Sequence, residues 1–220
     1  MIVLAIDTAG VDCSAAVFDG DTGRILSAVT EMIGKGHAER LMATIDEALL
    51  QSARQLTDID RIAVVTGPGS FTGIRVGVAA ARGLALSLGI ESVGITTLET
   101  LAAKHREAAG GRPLVVAMDA KRGELYVQAF AEDGAKLTEA VAVSPQEARD
   151  LAGSLSAEVT GSGRALVLDE QAISSGPDRF DISAVARLGA ARAAGAARPK
   201  PLYLRGPDAK PQTGYALARA

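Results

Sequence analysis

The chain has 220 residues, 48% of them hydrophobic and 22% charged, with a formal net charge of -3. That is the composition of a globular protein, long enough for one large or two small domains. The acidic balance excludes a sequence-wide basic footprint for nucleic acid, leaving room only for a local patch, and the absence of Trp with three Tyr and four Phe excludes an extended stacking platform. Residues 2–6 read as an apolar strand, interrupted by Asp7-Thr8-Ala9-Gly10. No basic leader precedes it and Asp7 comes too early for a signal peptide. Residues 13–18 and 24–29 continue a β-meander around the turn at 19–23. A doubly wound nucleotide fold more usually has a helix after its first strand. Asp7 has two readings at its strand end. It orients a metal, water or phosphate at a crevice, or it accepts backbone hydrogen bonds in the turn. The second is favoured, because no other acidic residue pairs with it in sequence. Cys13 is the only cysteine, which rules out an intrachain disulfide and suits a buried structural thiol.

Gly34-Lys35-Gly36 precedes a helix that His37 begins. Ala38, Leu41, Met42, Ile45, Ala48 and Leu49 form its apolar face. His37 lies where orphan N–H groups favour a neutral imidazole. Zinc binding there lacks partners, since His105 is the only other histidine. Residues 62–65 form a strand that runs into Gly67-Pro68-Gly69-Ser70. Thr72 can cap the helix expected over 74–88, and Gly89 sits where a helix stop belongs. Strand, glycine turn and helix start together present free N–H groups to an anion. The stretch lacks the GxGxxG fingerprint and the Lys-Thr/Ser ending of a phosphate loop. An anion site and a packing role both stay open, with packing favoured. Gly73, Gly77, Ala80, Ala81 and Leu84 make a low-relief surface that lets another backbone approach. Ile74, Val78, Ala81, Ala85 and Leu88 cover a second face. No uncharged apolar stretch is long enough to span a membrane, and a cytoplasmic location is expected.

Residues 92–95 form a short strand, and Thr96 with Glu99 makes a capping box for a helix to about 109. Gly110-Gly111-Arg112-Pro113 marks a boundary. Strands at 114–118, 125–131 and 136–143 then repeat the opening plan: apolar strand, Asp, short loop, hairpin, Asp-Gly turn. The repeat implies two related α/β lobes. Ser144, Pro145 and Glu147 start a helix that ends near Gly153. A strand at 158–161 leads to the turn Gly161-Ser162-Gly163. A short helix at 164–171, a loop at 174–181 and an Ala-rich helix at 182–194 follow. The expected organisation is an N-terminal lobe over 1–110 carrying the partner interface, and a C-terminal lobe over 111–205. The 182–194 helix is a candidate to return to the first lobe, and 206–220 is a mobile tail.

The segments MIVLAIDTA at 1–9, GPGSFTGIRVGVAAARGLALSLGI at 67–90, DAKRGELYVQAF at 119–130 and PLYLR at 201–205 resemble the TsaB family, also called YeaZ. The resemblance spans at least residues 1–205. It implies an α/β, two-lobed actin-like, Hsp70-like and sugar-kinase-like fold with duplicated mixed sheets flanked by helices. It also implies a noncatalytic scaffold and activating partner of TsaD in forming threonylcarbamoyladenosine (t6A) at adenosine 37 of tRNA. TsaE is the implied ATPase partner. A homodimer is implied in isolation, and tRNA is implied as what the complex acts on. No intrinsic cofactor is implied, with ATP or ADP and Mg belonging to the complex of TsaB, TsaD and TsaE. The catalytic paralogue carries paired metal-ligating histidines in the comparable helix. Here His37 stands with Arg40 and Leu41 where the second ligand would be wanted.

The partner interface expected from these features is His37, Leu41, Ile45, Gly73, Gly77, Ala80, Ala81 and Leu84, bordered by Ser70, Phe71 and Arg75. Asp7, Gly67, Gly69 and Gly161 make up a degenerate nucleotide cleft, with no metal site and no catalytic residue. Two rival readings are an ATP-dependent phosphotransferase of the same superfamily and a partner-directed protease. For the latter the sequence offers no Ser-His-Asp set.

Overall fold

The computed structural model describes residues 1–108, 111–170 and 177–205. The expected helix end at 109, the boundary glycine at 110, part of the 174–181 loop, the end of the 164–171 helix and the tail at 206–220 lie outside the described residues.

The first sheet begins with β1 (Ile2–Asp7), β2 (Asp12–Asp19) and β3 (Arg24–Met32), paired antiparallel in sequence. β3 outruns its expected end because Thr30, Glu31 and Met32 still pair with Ser14, Cys13 and Asp12. After α1 (His37–Gln51) and a 3-10 turn at Leu56–Asp58, β4 (Arg61–Val65) enters parallel to β1. Then α2 (Phe71–Leu88) crosses over to β5 (Glu91–Ile95), giving the order β3-β2-β1-β4-β5. Val3 to Ile6 and Ile62 to Val65 are wholly buried, as the centre of a sheet covered on both faces requires.

Alternation along β4 shows what covers each face. Gly77 of α2 packs toward Val64, whereas Gly189 of α6 (Ile182–Ala191) packs on Ala63 and Val3. α6 therefore lies on the first sheet, opposite α2. It stops at Ala191 rather than 194. Arg192 turns extended, and the Arg61 guanidinium donates to the carbonyls of Gly189, Ala190 and Arg192. A side chain thus satisfies the acceptors a helix end leaves open.

The helix α3 (Thr97–Ala108) has the expected box: Thr96 N–H donates to Glu99 Oε2 at 2.8 Å, and Glu99 N–H to Thr96 Oγ1 at 3.0 Å. It leads to the second sheet, β6 (Leu114–Asp119), β7 (Leu125–Phe130), β8 (Val141–Val143) and β9 (Glu158–Thr160), ordered β8-β7-β6-β9. Hairpin outward and parallel strand inward is the plan of the first sheet again. β8 is shorter than the expected 136–143. Thr138 Oγ1 takes the Ala129 N–H and the amides of Leu137 and Thr138 both turn to the Ala129 carbonyl, so regular pairing breaks after the bridge from Phe130 to Lys136. α4 (Pro145–Ser154) carries the expected Ser144–Glu147 box. α5 (Arg164–Leu168) stops early, at a left-handed Asp169.

The architecture is thus two mixed sheets flanked by helices, with one large core around the first sheet and a smaller one beneath α4 and α5. α2 has the length and hydropathy of a membrane span. Its Ile74, Val78, Ala81 and Ala85 are nonetheless buried against the sheet.

Candidate functional site

The start of α2 is locked onto the turn that follows β1. Ser70, not Thr72, is the N-cap: its Oγ accepts the Gly73 N–H at 3.2 Å, so the cap lies two residues earlier than expected. The Ser70 N–H reaches the Ala9 carbonyl at 2.7 Å, and Thr8 Oγ1 donates to the Gly73 carbonyl at 2.7 Å. The approach is close enough to demand glycine. A Cβ on Gly69 would strike the Ala9 carbonyl, one on Gly73 the Thr8 carbonyl, and one on Gly77 would stand 2.5 Å from Thr8 Oγ1. The small stripe along α2 therefore serves the fold internally.

This changes the expected docking surface. Leu41, Ile45, Gly73, Gly77 and Ala81 are buried inside the fold. His37 is buried too, with Nε2 3.1 Å from the Asp12 carbonyl oxygen. Ala80 and Leu84 are half-buried, whereas Ser70, Phe71 and Arg75 are exposed. The apolar groups left at the surface of α1 and α2 are Met42, Leu50 (81% exposed), Phe71 and Leu86 (81%), with Met32 on β3. Helical periodicity held the signal for Leu50 and Leu86, since both lie off the apolar face that folding consumes. On the same outward side, Gly83 has nothing within 4 Å of the position of a Cβ. Unlike Gly77 it has no internal packing reason to be glycine.

At the start of α2, Arg75 stacks its guanidinium 3.7 Å from the Phe71 ring centre and donates from Nε to the Tyr203 hydroxyl at 2.7 Å. The two rings lie 5.2 Å apart. This gives Arg75 a partner near the N-terminal end of the helix, where the dipole disfavours a cation. No local pattern in the sequence pointed to Tyr203.

Asp7 is fully buried. Oδ1 accepts the Ala9 N–H at 2.8 Å, and Oδ2 has no partner among the described residues. Burial pushes its carboxyl up to about 7, with the Asp12 carboxylate adding to the rise. Asp12 is held by a two-pronged ion pair to Arg179, at 2.7 and 3.0 Å. Between the two sheets opens a cavity of about 420 Å³, lined in part by Gly69, Ser70, Asp119, Lys121, Ser162 and Asp178. Burial works against ionisation of Asp119, yet Lys121 holds its carboxyl below the ordinary range. Burial raises Asp178, whose Oδ2 accepts the Ser162 hydroxyl.

Of the four residues expected at a nucleotide cleft, only Gly69 lines this cavity. Asp7 is shielded from it. Gly67 faces Ile74 and the Leu202 carbonyl, and Gly161 faces the Ala117 carbonyl. The close approach of these protein atoms is itself a reason for glycine at both positions. Among the described residues no group of three His, Cys, Asp or Glu is placed to hold a metal. With Asp119 and Asp178 already engaged, the donor set does not fit a resident Mg–nucleotide group.

A family model described as TsaD, tRNA N6-adenosine threonylcarbamoyltransferase, matches residues 28–171. The tRNA threonylcarbamoyladenosine biosynthesis protein TsaB of Escherichia coli (strain K12) is 37% identical over 133 residues, covering 60% of this chain and 56% of that protein. The chain thus spans little more than half the length of such curated relatives. Among solved structures, YeaZ from Pseudomonas aeruginosa superposes with a TM-score of 0.57 at 27% identity, covering 66% of this chain and 67% of that one. A further crystal structure, of an uncharacterized protein with similarity to peptidase YeaZ from the same organism, reaches a TM-score of 0.77 at 24% identity. It covers 93% of this chain and 99% of its own, and shows the fold.

Proposed function

We infer a function from one premise: the chain belongs to the TsaD threonylcarbamoyltransferase family, on its TsaB/YeaZ branch. It is a noncatalytic scaffold that binds and activates TsaD while TsaD transfers the threonylcarbamoyl group to adenosine N6 of tRNA. The observation that carries this reading is the outward side of α1 and α2. Met42, Leu50, Phe71 and Leu86 stay exposed there although both helices have buried their other faces. Exposed aromatic, Met and Arg side chains suit the core of a protein interface, and the exposed Glu39, Asp46 and Glu47 of α1 fall to its polar rim. Gly83 adds to it. Glycine costs a helix about 1 kcal/mol relative to alanine, and the cost at Gly83 is offset when another backbone comes close.

The docking surface is therefore this outer face, flanked by Ser70, Phe71, Arg75, Ala80 and Leu84. The buried members of the expected set support it from beneath. The same face serves a homodimer when TsaD is absent, so the two assemblies compete. TsaE joins as the ATPase, and ATP or ADP with Mg belongs to the assembled complex rather than to this chain, which agrees with the poor fit of Asp7 and its neighbours. The complex acts on tRNA in the cytoplasm.

The test is capture of TsaD by Leu50→Glu and Leu86→Glu variants. Both side chains are exposed, so the monomer should keep its thermal midpoint within a degree or two while capture falls at least tenfold. Unchanged capture by the double variant would place the interface elsewhere.

A further inference from the structure

A second cleft, of about 300 Å³, lies at the edge of β5 and shares no residue with the cavity between the sheets. Lys136, Arg192, Arg198 and Lys200 line it, together with Thr66 and Gly94, and no carboxylate does. That is unusual in a chain with 26 acidic and 23 basic residues. Cations that outnumber the carboxylates near them raise the local concentration of anions.

Two of the four are held in place from below. The Glu99 carboxylate, with 8% side-chain exposure, pairs with Lys136 Nζ at 2.9 Å and with the Arg192 guanidinium. Burial opposes its ionisation, but the Thr96 N–H and these two cations keep its carboxyl below the ordinary range. Glu99 thereby ties the loop after β7 and the end of α6 to the start of α3. The neighbouring Glu91 is occupied by Arg61 and the Gly195 N–H. Arg198 and Lys200 are exposed and have no ion-pair partner among the described residues. They flank Pro199, which is buried against Gly94, so the backbone between them is pinned.

We propose that this cleft is an anion subsite that receives the phosphodiester backbone of the RNA on which the complex acts. That RNA is at hand only if the scaffold reading holds, and the proposal rests on it to that extent. A free nucleotide fits less well. No aromatic ring lines the cleft to stack a base, and no carboxylate lines it to take a Mg ion. What it offers is positive charge alone, which positions a nucleic-acid backbone without reading its sequence.

The test is a titration of fluorescently labelled tRNA with the reconstituted complex, comparing the wild type with the Arg198→Ala/Lys200→Ala double variant at several salt concentrations. Losing two phosphate contacts should weaken binding about fivefold or more and flatten the slope of log K against log salt by about 1.4 to 1.8. Capture of TsaD without RNA should not change. An unchanged affinity and slope would overturn the proposal. So would loss of TsaD capture in the double variant, which would give the cleft to a protein partner, or displacement of ATP with tRNA binding intact. If the wild-type chain fails to capture TsaD at all, the scaffold reading falls, and the same titration on the chain alone still decides the cleft.

Discussion

Two glycines six positions apart in α2 should respond to the same substitution with opposite signs. Alanine at either position gains about 0.8–1.0 kcal/mol of helix propensity. At Gly83 nothing stands within 4 Å of the new methyl, so Gly83→Ala should stabilise the isolated chain by about that amount. At Gly77 the methyl would stand 2.5 Å from Thr8 Oγ1, in a residue that is itself buried and β-branched. Overpacking there costs about 1–3 kcal/mol. Displacing the hydroxyl also forfeits its bond to the Gly73 carbonyl, a further loss of about 1 kcal/mol. The net for Gly77→Ala is a loss of about 1–3 kcal/mol, which for a chain of this length lowers the thermal midpoint by roughly 2–12 °C. Urea and thermal unfolding of both variants, at two protein concentrations to separate folding from self-association, measure the difference. Equal destabilisation by both, or stabilisation by Gly77→Ala, would refute the assignment of one glycine to the interior and the other to the docking face. The Gly83 methyl should at the same time weaken TsaD capture.

Asp7 should give stability a pH dependence that Asp7→Asn abolishes. Its folded-state value near 7 is raised above the ordinary 3.8, so the folded chain holds this proton more tightly than the unfolded chain. The contribution is fully present below about pH 4 and is lost as pH rises to about 7, with a ceiling on the order of 4 kcal/mol. Urea midpoints of the wild type and variant across that window would diverge most at the alkaline end, and parallel curves would dismiss the buried-carboxyl explanation. Ser70→Ala removes the cap of α2 and should cost about 1 kcal/mol, whereas Thr72→Ala should stay within about 0.5 kcal/mol as a surface change. If Thr72→Ala proves the more damaging, the helix starts later than Phe71.

The strands of the first sheet were legible because their apolar runs are short, continuous and stopped by Asp or Gly, and a central strand buried on both faces leaves that pattern. Both capping boxes were legible for the same local reason: Thr96 with Glu99, and Ser144 with Glu147, satisfy each other within one turn. What was not legible depends on partners distant in sequence. The length of β8 is decided by the Thr138 hydroxyl competing for Ala129, and the end of α6 by Arg61 reaching its carbonyls. The docking surface shows this most sharply. Small residues at helical spacing announce a close approach but not whose backbone approaches, and at Gly73 and Gly77 it is Thr8 of the same chain. The glycines at 67, 69 and 161 likewise stand where neighbouring protein atoms leave no room for a Cβ.

Reconstituted threonylcarbamoyl transfer tests the scaffold role most directly. This chain, TsaD, TsaE and the enzyme that makes the threonylcarbamoyl-adenylate donor are combined with tRNA, and each protein is left out in turn. Omitting this chain should lower transfer at least tenfold, and this chain without TsaD should give none. Transfer in the absence of TsaD, or full transfer in the absence of this chain, would contradict the scaffold role.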